Sequence, residues 1–342
     1  MRPAQPLRAG YMAGTLAVLL AAASPRAAAQ VREFHGDPVP PEVDAMYERG
    51  MAFLLATQME DGTWPAQGSG QGPATTAMAL LALMARGDCP AHGPAAGALR
   101  RGVHALIGMQ AGDTGFFGPT MYHHGFATLA LAEAYGMVEH PRLAGALRQA
   151  VELILVSQRE NPTGGWRYQP TARDADTTVS GAQMVALLAA RNAGIEVPDE
   201  AIRRGLEYFA ACQAEDGGIG YTSAGSGNAV RTAIAITSAA LAGETDTPLV
   251  ARATNFLAQA ESRGAHGSTG GVFYHFYYAA QAWFHTDMDQ WRAWNAAQIA
   301  RLSQIQHRDG HWSERQGPTI DTAWGLLSIA LNYRTLPIYE RQ

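Results

Sequence analysis

A short motif that recurs roughly every 50 residues constrains the fold of this chain more than any other feature. Six times, a glutamine ends a helix-like stretch and is followed by glycine and an aromatic residue or a close substitute. The glutamines lie 52, 48, 55, 46 and 47 residues apart, at Gln58, Gln110, Gln158, Gln213, Gln259 and Gln306. A regular period of this length is the signature of a repeat architecture.

The stretches between motifs have the pattern of paired helices, one apolar almost all round and one with a charged face. The apolar, inner helices are predicted at 75–85, 126–135, 179–192, 229–242, 274–285 and 322–333. The outer helices are predicted at 43–58, 95–110, 141–158, 199–213, 249–259 and 289–306. Because the series opens with an outer helix and closes with an inner one, 43–58 can pair with 322–333 and bury both ends. We therefore predict an all-α fold, an α/α toroid (α6/α6 barrel) of six hairpins, with an open α-solenoid as the alternative.

The motif residues are predicted to hold neighbouring hairpins together. A glutamine at a helix end can bond free backbone groups there, glycine permits the tight turn, and the aromatic ring packs on the loop. The residues with this expected structural role are Gln58, Trp64, Gln158, Trp166, Gln213, Gln306 and Trp312.

The first 29 residues are predicted to be a cleaved signal peptide rather than part of the fold. Arg2 and Arg8 precede an apolar stretch from Met12 to Ala23, and small residues at 27–29 form a cleavage site. An uncleaved membrane anchor is the alternative. The mature chain, 30–342, has no other apolar stretch long enough to span a bilayer, and it is predicted to be one secreted or periplasmic domain.

Charge and cysteine content exclude some classes of function. The net charge is −5 and no basic block is present, so nucleic acid is not an expected partner. Cys89 and Cys212 are predicted to be free thiols at opposite ends of the helical stack, with a disulfide as the alternative. The sequence predicts no cofactor and no bound metal.

The motif copies QMEDGTW, QRENPTGGW, QAEDGG and QHRDGHW resemble the prenyltransferase and squalene-cyclase repeat superfamily. The segments at 176–187, 274–294 and 333–339 look more closely like the exported single-toroid proteins of planctomycete-type bacteria. The resemblance covers nearly all of the mature chain. It implies an α/α toroid and an isoprenoid or other apolar small molecule as the ligand.

The resemblance also implies candidate chemistry. Class II terpene cyclases protonate an alkene with the middle aspartate of a DxDD motif, and the matching segment here runs Asp174-Ala175-Asp176-Thr177. Asp176 is thus the candidate acid, although threonine occupies the fourth position. Such cyclases usually have a second helical domain over the cavity, for which this chain has no room. The alternative for Asp176 is the N-cap of the helix that follows.

Two other chemistries of the superfamily lack their key residues. Zinc-dependent prenyl transfer needs a thiolate ligand, and no Asp-x-Cys stands at a matching helix start. Complement-type thioester domains need a Cys-Gly-Glu-Gln segment, which the sequence does not contain.

Alignment of the repeats places polar residues together in the first turns of the inner helices, around one mouth of the barrel. Adjacent residues on a helix point about 100° apart, so His123 and His124 are not expected to share a metal. Together with Asp176, the predicted pocket residues are His123, His124, Asp174, Thr178, Arg231, His275, Tyr277 and Asp321.

Three functions remain open from the sequence. The first is an enzyme or binder that acts on an isoprenoid or lipid-like molecule in the barrel, with terpene-cyclase-like acid catalysis by Asp176. The second is a non-catalytic module that docks a protein of the cell envelope. The third is a carbohydrate-active α/α barrel in which Asp176 and Asp321 form the carboxylate pair and Arg231 clamps an acidic sugar.

Overall fold

A computed structural model of the protein describes residues 38–66, 72–87, 92–265 and 270–339. The predicted signal peptide and Cys89 lie outside the described residues.

The described chain contains twelve α-helices that alternate between an outer and an inner layer. The outer helices are α1 (Pro41–Thr57), α3 (Ala96–Gly108), α5 (Leu143–Glu160), α7 (Asp199–Ala211), α9 (Pro248–Ser262) and α11 (Met288–Ile305). The inner helices are α2 (Pro73–Met84), α4 (Met121–Ala134), α6 (Thr177–Asn192), α8 (Ala229–Leu241), α10 (Val272–Thr286) and α12 (Pro318–Ile329). Two 3-10 helices follow, at Ala330–Asn332 and Pro337–Tyr339.

The inner helices form a closed ring. Each packs on the next, from α2 through α4, α6, α8 and α10 to α12, and α12 packs on α2. The first outer helix, α1, packs against α12, as the order of the helices requires. One outer helix returns the chain between successive inner helices, so all six inner helices run in the same direction. The predicted α/α toroid is confirmed, and the solenoid alternative is not what the chain forms.

Most inner helices begin earlier than the apolar pattern predicts. Helix α4 starts at Met121 rather than at 126, so His123 and His124 belong to its first turn. Helices α2 and α12 start at Pro73 and Pro318, because proline at the first helical position has a suitable φ and needs no N–H partner. His123 and His124 are therefore helical, not loop residues.

The motif glutamines connect neighbouring outer helices. Gln58 follows α1, and its Nε2 donates to the carbonyl oxygens of Gly62 in its own loop (3.0 Å) and Ala98 in the first turn of α3 (2.9 Å). One side chain thus satisfies a loop carbonyl and fixes the next hairpin. The same pair of bonds recurs at Gln110, Gln158 and Gln213.

The fifth of these bridges closes the ring. Gln306, after α11, donates to Gly310 (2.8 Å) and to Met46 in α1 (3.0 Å), so the last outer helix is tied to the first. Gly310 has a φ of 95°, and a Cβ there would lie 2.1 Å from the Arg49 carbonyl oxygen. No other residue type fits between these two backbones.

The motif tryptophans anchor each loop to the helix that precedes it. All three are buried, and each donates its indole N–H to a carbonyl four residues before the motif glutamine. The pairs are Trp64 to Leu54 (2.7 Å), Trp166 to Ile154 (2.9 Å) and Trp312 to Leu302 (3.0 Å).

The motif copy at Gln259 is built differently. Gln259 is exposed, and α9 continues past it to Ser262. The connection is made instead by Glu261, whose carboxylate accepts from the indoles of Trp283 in α10 (2.9 Å) and Trp294 in α11 (3.0 Å). It also contacts His275 Nε2 at 2.9 Å. A carboxylate with two acceptor oxygens can hold these donors together, whereas the amide of glutamine offers only one oxygen.

The end of the chain covers the barrel at the C-terminal ends of the inner helices. The 3-10 helix Pro337–Tyr339 packs against α6, and Leu336, Ile338 and Tyr339 are buried. The Thr335 hydroxyl donates to the carbonyl of Ala85, just after α2. The other end, where the inner helices begin, is where the predicted pocket residues lie. None of the helices that the structure describes is long and apolar enough to cross a membrane.

The glutamine bridge generates a stability prediction. Gln158→Ala should lower the free energy of unfolding by about 2–4 kcal/mol, because two buried carbonyls lose their only side-chain donor. Gln259→Ala, at the same kind of position but exposed, should change it by less than about 0.5 kcal/mol. Urea unfolding of the two variants checks this, and equal effects would contradict the assigned role of the bridge.

Candidate functional site

Asp176 lies at the start of α6, at the mouth of the barrel, and its two carboxyl oxygens have different surroundings. Oδ1 accepts from the backbone N–H groups of Thr178 (3.0 Å) and Val179 (2.8 Å) and from the Thr178 hydroxyl (2.6 Å). Oδ2 is buried without a hydrogen bond and lies 3.4 Å from Nε of Arg167. The residue is thus an N-cap, as one interpretation of the sequence predicted, with one oxygen left over.

The protonation of Asp176 is set by opposing effects. Burial raises the pKa of its carboxyl group, since the charged form loses its hydration. The bonds from Thr178 and Val179 and the charge of Arg167 lower the pKa, but burial is the larger effect and the net direction is upward. Asp176 therefore holds a proton more strongly than an ordinary aspartate.

Arg167 connects Asp176 to the rim of the mouth. Its Nη1 donates to Asp174 Oδ2 at 3.0 Å, and Asp174 is largely exposed. The guanidinium lies 5.2 Å from the ring centre of Tyr168 and 5.3 Å from that of Tyr221, and the two phenol oxygens are 2.7 Å apart. Both tyrosines are more than one-third exposed. The rim therefore presents two aromatic rings held by one cation.

Arg231 is close to this cluster but serves the loop before α8. Its Nε donates to the Ile219 carbonyl (3.1 Å) and its Nη2 to the Ser226 carbonyl (2.8 Å). Burial lowers the pKa of the guanidinium, and the electrostatic influence of Tyr221 and Asp176 acts in the opposite direction. Arg231 thus adds positive potential near Asp176, while its donors hold the loop.

The two adjacent histidines point to different neighbours. His123 Nδ1 accepts from the Ala74 N–H at the start of α2 (3.2 Å). His124 Nδ1 accepts from the Phe117 N–H (3.1 Å), and its Nε2 lies 3.0 Å from the carbonyl oxygen of Ala150 in α5. Burial lowers the pKa of His124 to about 4, so it is neutral at physiological pH. Both residues join helices and do not converge on one point.

Two further predicted pocket residues lie away from the mouth. His275 is fully buried and contacts the Glu261 carboxylate, as part of the network that replaces the bridge expected at Gln259. Tyr277 is buried deeper in the barrel. Burial raises the pKa of its phenol, and the negative charge of Glu133 adds to the effect. Neither residue contacts Asp176 among the interactions of the described chain.

Asp321, in the first turn of α12, anchors the loop before its helix. Its Oδ2 accepts from the backbone N–H groups of Glu314 (2.6 Å), Gln316 (3.2 Å) and Gly317 (3.1 Å). Burial raises the pKa of Asp321 to about 6, although the three N–H bonds oppose the shift. Helices α6 and α12 face each other across the ring. Packed helix axes are typically 8–10 Å apart, so opposite axes of a six-membered ring are about 16–20 Å apart.

Aromatic side chains cross the barrel below the mouth. Tyr122 of α4 and Tyr274 of α10 come from opposite sides of the ring, yet their hydroxyls are close enough to interact electrostatically. The Tyr274 ring centre lies 5.1 Å from that of Tyr278 and 4.9 Å from that of Trp324 in α12. These four residues, the aromatic layer, come from helices α4, α10 and α12 and bring their rings together inside the barrel.

The described residues contain no cluster of three or more His, Cys, Asp or Glu side chains placed to hold a metal ion. Cys212 is a buried free thiol, and burial raises its pKa, so it is not poised as a nucleophile.

The structure brings together only part of the predicted set. Asp174, Asp176 and Thr178 form one cluster, with Arg231 at its edge. The sequence analysis missed Arg167, Tyr168 and Tyr122, which complete the cluster. A signal for the first two was available, because they directly follow Trp166, the last residue of a motif copy whose loop leads into α6. Nothing in the sequence indicated Tyr122.

Comparison with known proteins gives structural neighbours only. No family model matches the chain, and no curated protein matches it. One similar solved structure is a variant of the type II terpene cyclase MstE from Scytonema in complex with geranylgeranyl dihydroxybenzoate. It is 16% identical, with a TM-score of 0.64, over 86% of this chain and 98% of that one. The same enzyme without ligand is 17% identical, with a TM-score of 0.63.

A second neighbour is an inactive variant of the α-1,6-mannanase GH76A of Salegentibacter in complex with α-1,6-mannotriose. It is 10% identical, with a TM-score of 0.66, over 85% of this chain and 99% of that one. At these identities the similarity establishes the shared α/α toroid and nothing about the reaction. The near-complete coverage does correct one expectation, because a solved chain described as a type II terpene cyclase is matched almost entirely by a single toroid.

The N-cap geometry generates a prediction for Asp176. Asp176→Asn should keep the free energy of unfolding within about 0.5 kcal/mol, because asparagine caps helices nearly as well as aspartate. Asp176→Ala should cost about 1–2 kcal/mol, because the N–H groups of Thr178 and Val179 lose their acceptor. Chemical denaturation measures both, and an asparagine variant as unstable as the alanine variant would show that the charge matters more than the cap.

The raised pKa of Asp321 generates a pH prediction. Its pKa rises from 3.8 to about 6, so the folded protein holds this proton more strongly than the unfolded chain. The stabilisation is complete below pH 4 and is lost as the pH rises through 6, a change on the order of 3 kcal/mol. In Asp321→Asn this pH-dependent part of the free energy of unfolding should disappear. Urea unfolding of both proteins between pH 4 and 7 checks this, and parallel curves would contradict it.

Proposed function

We propose that the barrel binds an isoprenoid-like molecule at its mouth and that Asp176 protonates it, in terpene-cyclase-like acid catalysis. The observation that carries the proposal is the asymmetry of the Asp176 carboxyl group. One oxygen is fixed by three hydrogen bonds, and the other is buried without one. A general acid needs this arrangement, because its proton must be held at a fixed position and presented to the substrate.

The surroundings suit the protonation of an alkene. Adding a proton to a carbon–carbon double bond produces a carbocation, which aromatic faces stabilise and water destroys. The aromatic layer of Tyr122, Tyr274, Tyr278 and Trp324 lies just beneath Asp176 and supplies such faces. The tyrosines of the layer stay neutral, since burial raises the pKa of Tyr122, Tyr274 and Tyr278 well above the usual value.

Asp174 and Arg167 tune the acid under this proposal. Arg167 favours the charged form of Asp176, which opposes acid function. Asp174 draws on the same guanidinium through Nη1 and leaves Nε, at 3.4 Å, as the only nitrogen paired with Asp176. The first aspartate of the Asp174-Ala175-Asp176 segment therefore weakens the effect of Arg167 on the second.

The comparisons support the proposal in one respect. A single toroid without a roofing domain is the architecture of a solved chain described as a type II terpene cyclase bound to its geranylgeranyl substrate. A single toroid is thus no argument against this chemistry here.

The carbohydrate alternative has weaker support. Glycosidase carboxylates act as a pair about 5–9.5 Å apart. Asp176 and Asp321 start from helices on opposite sides of the ring, and Asp321 directs one oxygen to three backbone N–H groups of its own loop. Arg231, the predicted clamp, uses its donors on carbonyls.

Turnover of a polyprenyl substrate tests the proposal. The purified mature chain is incubated with geranylgeraniol and with geranylgeranyl-substituted phenols, and cyclised products are detected by gas chromatography and mass spectrometry. Asp176→Asn should reduce turnover by about 100-fold or more, because it removes the acid and keeps the cap.

The matched control is Asp287→Asn. Asp287 caps α11 in the same way, by accepting from the backbone N–H groups of Asp289 and Gln290, but it lies on the outer layer. This variant should keep full turnover. If Asp176→Asn keeps it too, Asp176 is not the acid. If the wild-type protein turns over none of these substrates yet retains a cell-envelope protein on purification, the chain is a non-catalytic interaction module.

Export is a separate proposal. Residues 1–29 have the composition of a cleavable signal peptide, which would direct the toroid to the periplasm or outside the cell. Intact-mass measurement on protein purified from its native host tests this, since cleavage leaves Gln30 as the N-terminus. A full-length mass in the membrane fraction would favour an uncleaved anchor.

A further inference from the structure

Three hydrogen-bond donors of the aromatic layer are buried together without a partner in the described structure. The hydroxyls of Tyr274 and Tyr278 interact with each other, but neither they nor the indole N–H of Trp324 has a hydrogen-bond partner at normal geometry, and the three side chains are 3, 0 and 6% exposed. Their rings are in contact, so the donors belong to one site. Buried polar groups are almost always satisfied, and a group of orphaned donors requires an explanation.

The chemistry of these donors defines what satisfies them. An indole N–H only donates, and each phenol donates one hydrogen, so the missing partner is an acceptor. The electrostatic neighbours of Tyr274 and Tyr278 are other tyrosines, and no cation is among them in the described residues. A carboxylate or phosphate would be buried here without a counter-charge, which is strongly unfavourable. A neutral oxygen is the acceptor that fits.

The position of the donors sets the direction in which a ligand enters. Tyr278 and Trp324 each lie six residues into their helices, which places them about 9 Å below the level where α10 and α12 begin. Asp176 is the N-cap of α6 and lies at the level of the mouth. An elongated ligand with one oxygenated end would place that end among the donors and its hydrocarbon part near Asp176.

We infer that the barrel interior is a site for a neutral, oxygen-bearing end of an isoprenoid, a hydroxyl or carbonyl group held by Tyr274, Tyr278 and Trp324. This inference rests on the proposed function and deepens it, since it specifies the substrate class as an oxygenated isoprenoid that enters oxygen first. It also separates the binding role of the layer from the acid role of Asp176.

Binding of three matched probes tests the inference. The probes are geranylgeraniol, geranylgeranoic acid above its pKa, and the hydrocarbon of the same skeleton without oxygen. Dissociation constants are measured on the mature protein by native mass spectrometry. The alcohol should bind about tenfold more tightly than the hydrocarbon, the equivalent of one good hydrogen bond. The ionised acid should bind no better than the hydrocarbon.

Two variants and a matched control locate the effect. Tyr278→Phe and Trp324→Phe should reduce the preference for the alcohol to about twofold or less, with the affinity for the hydrocarbon retained. Trp291→Phe is the control, because the Trp291 indole is equally buried without a partner but lies on outer helix α11. This variant should keep the full preference. The ligand-free Tyr278→Phe protein should have an unchanged or higher Tm, since its hydroxyl has no hydrogen bond of normal geometry to lose.

The outcomes separate the two proposals. If the wild type binds all three probes equally, or prefers the acid, the site for a neutral oxygen is refuted and isoprenoid binding stands. If Tyr278→Phe lowers the Tm of the ligand-free protein, a structural water satisfies the hydroxyl and the inference fails. If none of the probes binds, the proposed function fails as well. If turnover depends on Asp176 but the alcohol binds no more tightly than the hydrocarbon, the role of Asp176 as the acid stands and the oxygen site is refuted.

Discussion

The side chain of a glutamine at the end of an outer helix holds the architecture together. Its Nε2 satisfies one carbonyl in its own loop and one in the next outer helix, and five such bridges lead around the ring to the contact of Gln306 with Met46. Each bridge fixes one hairpin relative to the next. Because the same local contact recurs between successive hairpins, it sets the curvature of the array. Closure then removes the free ends that an open array must cap.

Closure determines where a functional site can lie. The inner helices all run in the same direction, so their N-terminal ends and first-turn side chains meet at one mouth, while the C-terminal segment with Tyr339 covers the other end. Free N–H groups at those helix starts attract acceptors, and much of the polar set serves that purpose. His123 bonds the start of α2, and Asp321 holds the loop before α12. The mouth is rich in polar residues mainly for structural reasons.

Asp176 differs from these neighbours in what surrounds its carboxyl group, one oxygen of which makes no hydrogen bond. Asp321 also keeps one oxygen without a hydrogen bond, but its loop closes around the other. Asp176, unlike Asp321, is joined to an exposed aromatic rim through Arg167 and interacts with Tyr122 of the aromatic layer. The candidate site is thus defined by what surrounds the carboxylate, more than by the carboxylate itself.

The sequence by itself determined the fold, because the period of the motif and the alternation of apolar and charged helices are local properties that each hairpin repeats. It also indicated which motif residues connect the hairpins. The exception is the motif copy at Gln259, where Glu261 makes the connection instead. It placed Asp174, Asp176 and Thr178 together, since they are adjacent in the chain. All of these predictions concern contacts within one hairpin or between neighbouring hairpins.

Only the tertiary structure decided the composition of the site across the ring. Tyr122 meets Tyr274 from the opposite side of the barrel, 152 positions away in the chain, and no local pattern encodes that contact. For the same reason His275 and Asp321, placed at the mouth by alignment of the repeats, turned out to face Glu261 and a loop. The direction of a side chain around a helix depends on how the helix is rotated in the ring. That rotation is set by packing on both neighbours at once, which the repeat period does not specify.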